Sequence, residues 1–294
     1  MNVWVRGARP RTLGAGVVPV VVGAAAAGNV VWWRLGLALA VALGLQVGVN
    51  FANDHFDGVR GVDTAERLGP PRLVASGAAS ARAVLVAALV SLGVAAVGGL
   101  VLALVTSPAL ILVVGALALL AAVGYSGGPR PYASVALGEL MVFLFFGLKA
   151  TCGTAYVMVE TVPSAAWWSG SALGLLAVAI LVANNLRDVS TDAAAGKRTL
   201  AVRLGGSRTR LMHRACVAGA YVVVATGAAI DGRIGLSRWG LFALASWPIA
   251  IRPMETVGSA DGRDLVPALI GTAKLHAAFG LLLALGLTSG ALQS

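Results

Sequence analysis

Carboxylate and carboxamide side chains are concentrated in two short segments, each at the end of a long apolar stretch. Asn50, Asp54 and Asp57 form one set, and Asn184, Asp188 and Asp192 form the other. Their helical spacing places the members of each set on one face. Carboxylates at this spacing repel one another unless a cation lies between them, and Mg²⁺ prefers such oxygen ligands. The sequence therefore predicts a magnesium site at each segment.

Basic residues follow both acidic sets. The first set is followed by Arg60, Arg67 and Arg72, and the second by Lys197, Arg198 and Arg203. Acidic and then basic groups on the same side are what a metal–diphosphate site needs. Solvated loop charges are the alternative interpretation. It is weakened because the pattern occurs twice, with Asn leading each run.

The elements that carry these sets are predicted from composition. The chain is 58% apolar and only 12% charged, whereas a soluble domain is about one-quarter charged. Its apolar residues fall in blocks of roughly 20, the length of a bilayer span. These features exclude a soluble enzyme, a disordered chain and a nucleic-acid-binding module, although a net charge of +10 alone would suggest nucleic acid. We expect an all-α integral membrane protein.

About nine spans are predicted, and they form one polytopic domain over residues 1–294. They lie near 12–33, 35–53, 82–105, 108–126, 133–157, 167–187, 212–230, 236–251 and 266–290. The two acidic sets open the long connections 54–81 and 188–211. With a cytoplasmic N-terminus and an external C-terminus, 17 of the 22 basic residues lie on the cytoplasmic side, as the positive-inside rule requires.

At these residues the chain resembles the UbiA superfamily of intramembrane aromatic prenyltransferases. That superfamily carries Asn-Asp-x-x-Asp and Asp-x-x-x-Asp motifs, which match residues 53–57 and 188–192 here. Further motifs resemble its MenA-type branch, the 1,4-dihydroxy-2-naphthoate prenyltransferases. These motifs lie at 8–13, 58–63, 125–128, 138–147 and 184–205. Lys149 departs from the pattern, because the branch usually has an apolar residue or proline there.

The resemblance implies a helical bundle around a cavity that faces the cytoplasm of a cell membrane. It implies two Mg²⁺ ions that bind a polyprenyl diphosphate. Their ligands are expected to be Asp54, Asp57, Asp188 and Asp192, supported by Asn50, Asn53 and Asn184. Departing pyrophosphate is expected to bind Arg60, Arg67, Arg130, Lys197 and Arg198. The remaining candidates are Tyr125, which would stabilise an allylic cation, and Asp63 and Glu139, which would orient the aromatic substrate.

The implied reaction transfers the polyprenyl group to 1,4-dihydroxy-2-naphthoate. Carbon dioxide and pyrophosphate are lost, and demethylmenaquinone is formed. Membrane lipid is an expected partner, and nucleic acid is not. Another aromatic acceptor is one alternative, and an ion-coupled transporter is a second. A CDP-alcohol phosphotransferase is a third, but its remaining Asp pair is missing, since residues 76–187 contain no Asp.

Overall fold

The computed structural model describes residues 2–61, 71–128, 131–230 and 234–291. Within these ranges all regular secondary structure is helical. The helices are α1 (Val3–Ala8), α2 (Pro10–Ala26), α3 (Trp32–Val59), α4 (Ala81–Leu104), α5 (Pro108–Gly124), α6 (Gly138–Val142), α7 (Ala150–Val159), α8 (Ser164–Arg187), α9 (Val189–Ala194), α10 (Leu200–Ile230), α11 (Trp247–Ser259) and α12 (Val266–Ala291).

Four further helical segments lie between these helices. A π-helical segment, Phe143–Lys149, joins α6 to α7 without a break. Three 3₁₀ segments, Tyr132–Ser134, Arg238–Ser246 and Gly262–Leu265, lead into α6, α11 and α12. A π-helical turn inside a longer helix is uncommon and often accompanies a functional site.

Six of the described helical stretches are long and apolar enough to cross a membrane. They are Trp32–Val59, Ala81–Leu104, Gly138–Val159, Ser164–Arg187, Leu200–Ile230 and Gly262–Gly290, and two shorter apolar helices are Pro10–Ala26 and Pro108–Gly124. Large apolar side chains on α4 and α5 face outward, as Val90 and Leu120 do, which suits contact with lipid rather than water. The expected all-helical, multi-pass membrane protein is confirmed, and the number of nine spans stays a prediction.

Both acidic segments are more helical than the expected loops. Helix α3 begins at Trp32 and continues to Val59, so it includes Asp54 and Asp57. The connection expected over 188–211 contains α9 and the start of α10. Helix α10 kinks at Gly205 (φ 74°, ψ 167°), a conformation that glycine adopts without steric cost. Asp54, Asp57 and Asp192 are therefore held on helices, and Asp188 lies at the turn between α8 and α9.

Helix α8 lies at the centre of the bundle. Along its length Ala166, Leu173, Leu176 and Ala179 are fully buried. The π segment crosses α8 at a glycine contact, where a β-carbon on Gly147 would overlap the backbone of Gly174. Small residues allow such close backbone approach between membrane helices. This contact positions the π segment relative to the acidic residues at the end of α8.

Candidate active site

The ends of α3 and α8–α9 meet around one acidic pocket. Lys197 Nζ lies 3.2 Å from Asp57 Oδ2 and 3.9 Å from Asp192 Oδ1. Asn53, Asn184 and Asp188 line the same pocket. The structure thus brings together one member of the first predicted set and all three of the second.

The face of α3 that enters the pocket differs from the expected face. Asn53 and Asp57, four residues apart, line it. Asp54 points away, and its two carboxylate oxygens accept hydrogen bonds from the backbone amides of Leu73 (2.9 Å) and Val74 (3.0 Å). Asp54 therefore holds the turn that follows residues 62–70. Its predicted role as a metal ligand stays a prediction.

Asn50 also lies outside the acidic pocket. Its side-chain amide donates a 3.0 Å hydrogen bond to the carbonyl of Ala8. The backbone carbonyl of Asn50 accepts a hydrogen bond from the side chain of Arg9. Arg9 joins α1 to α2 with a left-handed backbone (φ 57°), which is rare for a residue with a side chain and costs energy. These contacts attach the N-terminal helices to α3.

Asp188 is paired with its direct neighbour, Arg187. The guanidinium donates to both carboxylate oxygens, at 2.7 and 2.6 Å, and also to Asn184 Oδ1 at 2.9 Å. Only 3% of the Arg187 side chain is exposed. The sequence places Arg187 inside the motif over 184–205 but predicts no pairing for it. Its place directly before the second acidic motif was the available clue to this role.

The other basic candidates are distributed unevenly. Arg60 donates hydrogen bonds to the carbonyls of Ser126 and Gly128, so it holds the segment after α5. The side chain of Arg198 is exposed. Arg72, which the sequence marks only as part of a basic run, is buried and lines the acidic pocket. Three predicted site residues, Asp63, Arg67 and Arg130, lie outside the described residues.

Glu139 lies behind the pocket rather than in it. It is 5% exposed and accepts a 3.0 Å hydrogen bond from Asn185 Nδ2. Asn185 itself lines the pocket. Glu139 therefore orients a pocket residue, and contact with an aromatic substrate stays a prediction. The pocket is completed by hydroxyl groups that sequence reasoning missed because single Ser and Thr residues give no pattern, namely Ser126, Ser134 and Thr199.

A second, largely apolar cavity of about 190 Å³ adjoins the acidic pocket. Asn53 and Tyr125 line both spaces, so the two meet at these side chains. The aromatic rings of Phe145 and Phe146 line the apolar cavity farther along the π segment. A ligand with one charged end and one apolar part could occupy both spaces at once.

Tyr125 and Tyr132 form an edge-to-face pair, with ring centroids 5.4 Å apart. The Tyr132 hydroxyl donates a 2.8 Å hydrogen bond to the carbonyl of Ala121. Burial, with a smaller contribution from Tyr125, raises the pKa of Tyr132 above its ordinary value. Tyr132 therefore stays protonated near neutral pH. Its edge-to-face contact holds the ring of Tyr125 in place.

The donor chemistry of the acidic pocket suits Mg²⁺ that shares its ligands with a phosphate group. Within the described residues, no three His, Cys, Asp or Glu side chains form a metal cage by themselves. However, one cation, the ammonium of Lys197, already contacts carboxylates from both segments. Mg²⁺ commonly takes one or two carboxylates and completes its shell with water and substrate phosphates. The residues fit such a site.

The sequence is similar to those of known membrane prenyltransferases along most of its length. The model of the UbiA prenyltransferase family matches residues 16–256. A 1,4-dihydroxy-2-naphthoate octaprenyltransferase from Mycobacterium tuberculosis is 45% identical over 294 residues, which cover 99% of this chain and 98% of the relative.

Solved structures share the fold. A UbiA homologue from Aeropyrum pernix K1, in its apo form, superposes with a TM-score of 0.73 at 18% identity, covering 93% of this chain and 97% of the homologue. Another UbiA homologue, from Archaeoglobus fulgidus and bound to DMAPP and Mg²⁺, gives 0.64 at 15% identity, covering 96% and 99%. The matched family model spans most of the chain, and the protein belongs to the UbiA prenyltransferase family.

Proposed function

We propose that the protein transfers a polyprenyl group from a polyprenyl diphosphate to 1,4-dihydroxy-2-naphthoate, as a Mg²⁺-dependent membrane enzyme. The reaction releases pyrophosphate and carbon dioxide and yields demethylmenaquinol, the reduced form, which becomes demethylmenaquinone only in a separate oxidation. The acceptor is proposed because the tuberculosis relative, 45% identical over nearly the full chain, is named for that activity. The metal is proposed on the acidic pocket, with support from the A. fulgidus homologue, which is bound to Mg²⁺ and DMAPP.

The observation that carries this proposal is the junction of the two spaces at Asn53 and Tyr125. A polyprenyl diphosphate has a highly charged head and an apolar tail. The head suits the pocket that contains Lys197 and Arg72, and the tail suits the apolar cavity. The allylic carbon that joins head and tail would then lie near Tyr125.

Within the acidic pocket, Asp57 and Asp192 are proposed to hold Mg²⁺, with Asn53 and Asn184 as supporting oxygen donors. We propose two ions, in keeping with two acidic segments. Bound there, Mg²⁺ would supply positive charge to the diphosphate and make it a better leaving group. Asp188 is a further candidate ligand, oriented by its buried pairing with Arg187.

Lys197 is proposed to contact the departing pyrophosphate. Its ammonium already lies between two carboxylates at the pocket, so it can turn from Asp57 or Asp192 to an incoming anion. Arg72 adds a second positive charge to the pocket lining. A charge-assisted contact of this kind is about twice as strong as a neutral hydrogen bond.

The apolar cavity is proposed to protect the reacting carbon from water. Tyr125, Phe145 and Phe146 present aromatic rings to it. Aromatic faces stabilise nearby cations by about 1–2 kcal/mol. Exclusion of water also prevents hydrolysis of the reactive intermediate.

For topology, we propose one polytopic domain over residues 1–294 with about nine spans. The N-terminus and the acidic pocket would face the cytoplasm, and the C-terminus would lie outside. The excess of basic residues in the connections on the pocket side supports this orientation. Labelling of Ala194→Cys only from the cytoplasmic side and of Trp33→Cys only from the outside would test it, since both native cysteines are buried.

The function is tested by incubating the purified protein in lipid nanodiscs with a polyprenyl diphosphate and one acceptor at a time. The acceptors are 1,4-dihydroxy-2-naphthoate, 4-hydroxybenzoate and homogentisate, and products are identified by mass spectrometry. We expect a prenylated product only with the naphthoate, and only with Mg²⁺ rather than EDTA. Transfer to 4-hydroxybenzoate or homogentisate but not to the naphthoate would contradict the proposed acceptor.

A further inference from the structure

Lys149 lies in the apolar cavity, where no part of the reaction described above uses it. It is the last residue of the π-helical segment. Its side chain lines the cavity together with Phe145 and Phe146, and it lies inside the apolar stretch Gly138–Val159, which is long enough to span a membrane. Charged side chains at such depth are costly and usually serve a function.

The described residues supply no negative charge beside Lys149. Among the described residues it makes no hydrogen bond and no ion pair, and no carboxylate lines the cavity. The other polar side chains that line the same cavity are Arg9, Gln46, Asn50, Asn53, Tyr125 and Tyr132. Arg9 is a second cation, and the others are neutral amides and phenols. In the described part of the chain, the ammonium of Lys149 therefore has no carboxylate beside it in the cavity, which indicates that an anionic ligand supplies the negative charge.

The π-helical segment directs Lys149 into the cavity. Met141, Phe145 and Lys149 follow one another every four residues along the lining. Side chains on a helix lean toward its N-terminal end. Here that end is Gly138, close to the acidic pocket, so the ammonium leans back toward the junction at Asn53 and Tyr125.

The chemistry of the cavity selects among the ligands of the proposed reaction. A diphosphate carries several negative charges, and the acidic pocket supplies Lys197, Arg72 and the metal ligands for it. A polyprenyl tail carries no charge and would gain nothing from a lysine. An aromatic monocarboxylate matches both a single ammonium and the surrounding rings of Phe145 and Phe146.

We propose that Lys149 binds the carboxylate of the aromatic acceptor and so sets its orientation in the cavity. This inference rests on the proposed function for the identity of the acceptor. The carboxylate would point away from the acidic pocket, and the aromatic ring would lie toward Tyr125 and the allylic carbon. Because the prenylated product has lost its carboxylate, it no longer makes this contact. Lys149 therefore favours binding of the substrate over retention of the product.

The test measures binding directly, without Mg²⁺ or prenyl donor. The probe is 1-hydroxy-2-naphthoate, followed by its own fluorescence on titration with the intact protein in nanodiscs. We expect Lys149→Met to weaken binding about 10- to 100-fold, the cost of losing a charge-assisted contact, and Lys149→Arg to retain most of the affinity. Lys274→Met is the matched control, because Lys274 lies on α12 with an exposed side chain and does not line the cavity.

A second comparison changes the ligand instead of the protein. The corresponding amide, 1-hydroxy-2-naphthamide, should bind the wild-type protein at least tenfold more weakly than the acid. It should bind wild type and Lys149→Met equally. If Lys149→Met does not accumulate in folded form, Lys149→Gln provides the same comparison.

Two results would overturn the inference. One is equal affinity of acid and amide for the wild-type protein. The other is a Lys149 variant that binds the acid normally and changes only the KM for polyprenyl diphosphate or the preferred chain length. Either result leaves the proposed reaction intact. A different outcome would contradict the proposed function alone. In that case the acid binds in a Lys149-dependent way, but the protein transfers no prenyl group to the naphthoate.

Discussion

Lys197 Nζ lies 3.2 Å from Asp57 Oδ2, although the two residues are 140 positions apart in the chain. The contact joins the end of α3 to the segment after α9. It brings one carboxylate of the first acidic segment to the second, because Asp192 Oδ1 is 3.9 Å from the same ammonium. The proposed diphosphate site depends on this meeting of two distant segments.

Asp57→Asn and Asp192→Asn are each expected to lower kcat/KM for prenyl transfer by at least about 100-fold, because each removes a carboxylate that we propose to bind Mg²⁺. The concentration of Mg²⁺ that gives half-maximal activity should rise in both variants. Asp264→Asn is the control, since Asp264 is exposed and outside the pocket. Wild-type magnesium dependence in both pocket variants would exclude these residues as ligands.

Asp54→Ala is expected to affect stability more than metal dependence. The two oxygens of Asp54 accept one buried and one partly buried backbone hydrogen bond, and an unsatisfied buried donor costs about 1–3 kcal/mol. The variant should melt at a lower temperature in detergent, whereas its half-saturating Mg²⁺ concentration should match that of the wild type. A raised magnesium requirement with unchanged melting would instead restore Asp54 as a ligand.

Removal of the Arg187 side chain should be strongly destabilising. Arg187→Ala leaves the buried carboxylate of Asp188 without its bidentate partner, and breaking a buried ion pair in this way costs about 3–5 kcal/mol. The double variant Arg187→Met/Asp188→Leu should recover much of the melting temperature but not the activity. Full activity in the double variant would show that neither residue serves the reaction.

Lys197→Met is expected to raise the KM for polyprenyl diphosphate about 10- to 100-fold, because a charge-assisted contact to the head group is lost. The KM for the aromatic acceptor should change little. Arg208→Met removes an exposed positive charge from α10 and serves as the control for net charge. Equal effects of the two substitutions would indicate long-range electrostatics rather than a contact at the pocket.

The glycine contact between the π segment and α8 gives a stability prediction. Gly147→Ala places a methyl group against the backbone of Gly174, and such overpacking costs about 1–3 kcal/mol. Gly153→Ala is the matched control on α7, where an added β-carbon meets no atom within 4 Å. It should be neutral or stabilise the helix by up to about 1 kcal/mol. Thermal melts of both variants would separate the contact from a general glycine effect.

Several features of the site follow from local sequence. The scarcity of charge and the length of the apolar blocks predict membrane helices, because an unpaired backbone polar group is too costly in lipid. The repeated Asn and Asp residues at the ends of α3 and α8 predict two oxygen-ligand segments. Both predictions depend only on residue type and short-range spacing, which can be read from the sequence.

The direction of each side chain could not be obtained in the same way. Helical spacing places Asn50, Asp54 and Asp57 on one broad face, but that face is shared among three neighbours. Asn50 contacts Ala8, Asp54 the turn at Leu73, and Asp57 the ammonium of Lys197. Which of these side chains enters the pocket depends on where α1 and the turn after α3 pack.

By itself, the sequence determined the helical membrane architecture, the family and the two acidic motifs, because each follows from composition or from residues close together in the chain. Tertiary structure alone decided that Arg187 is a buried partner, that Asn53 and Tyr125 join the two spaces, and that Lys149 faces a cavity. These relationships depend on the packing of helices from distant parts of the chain. Close packing leaves each buried polar group few possible partners, and those partners become visible only once the helices are in place.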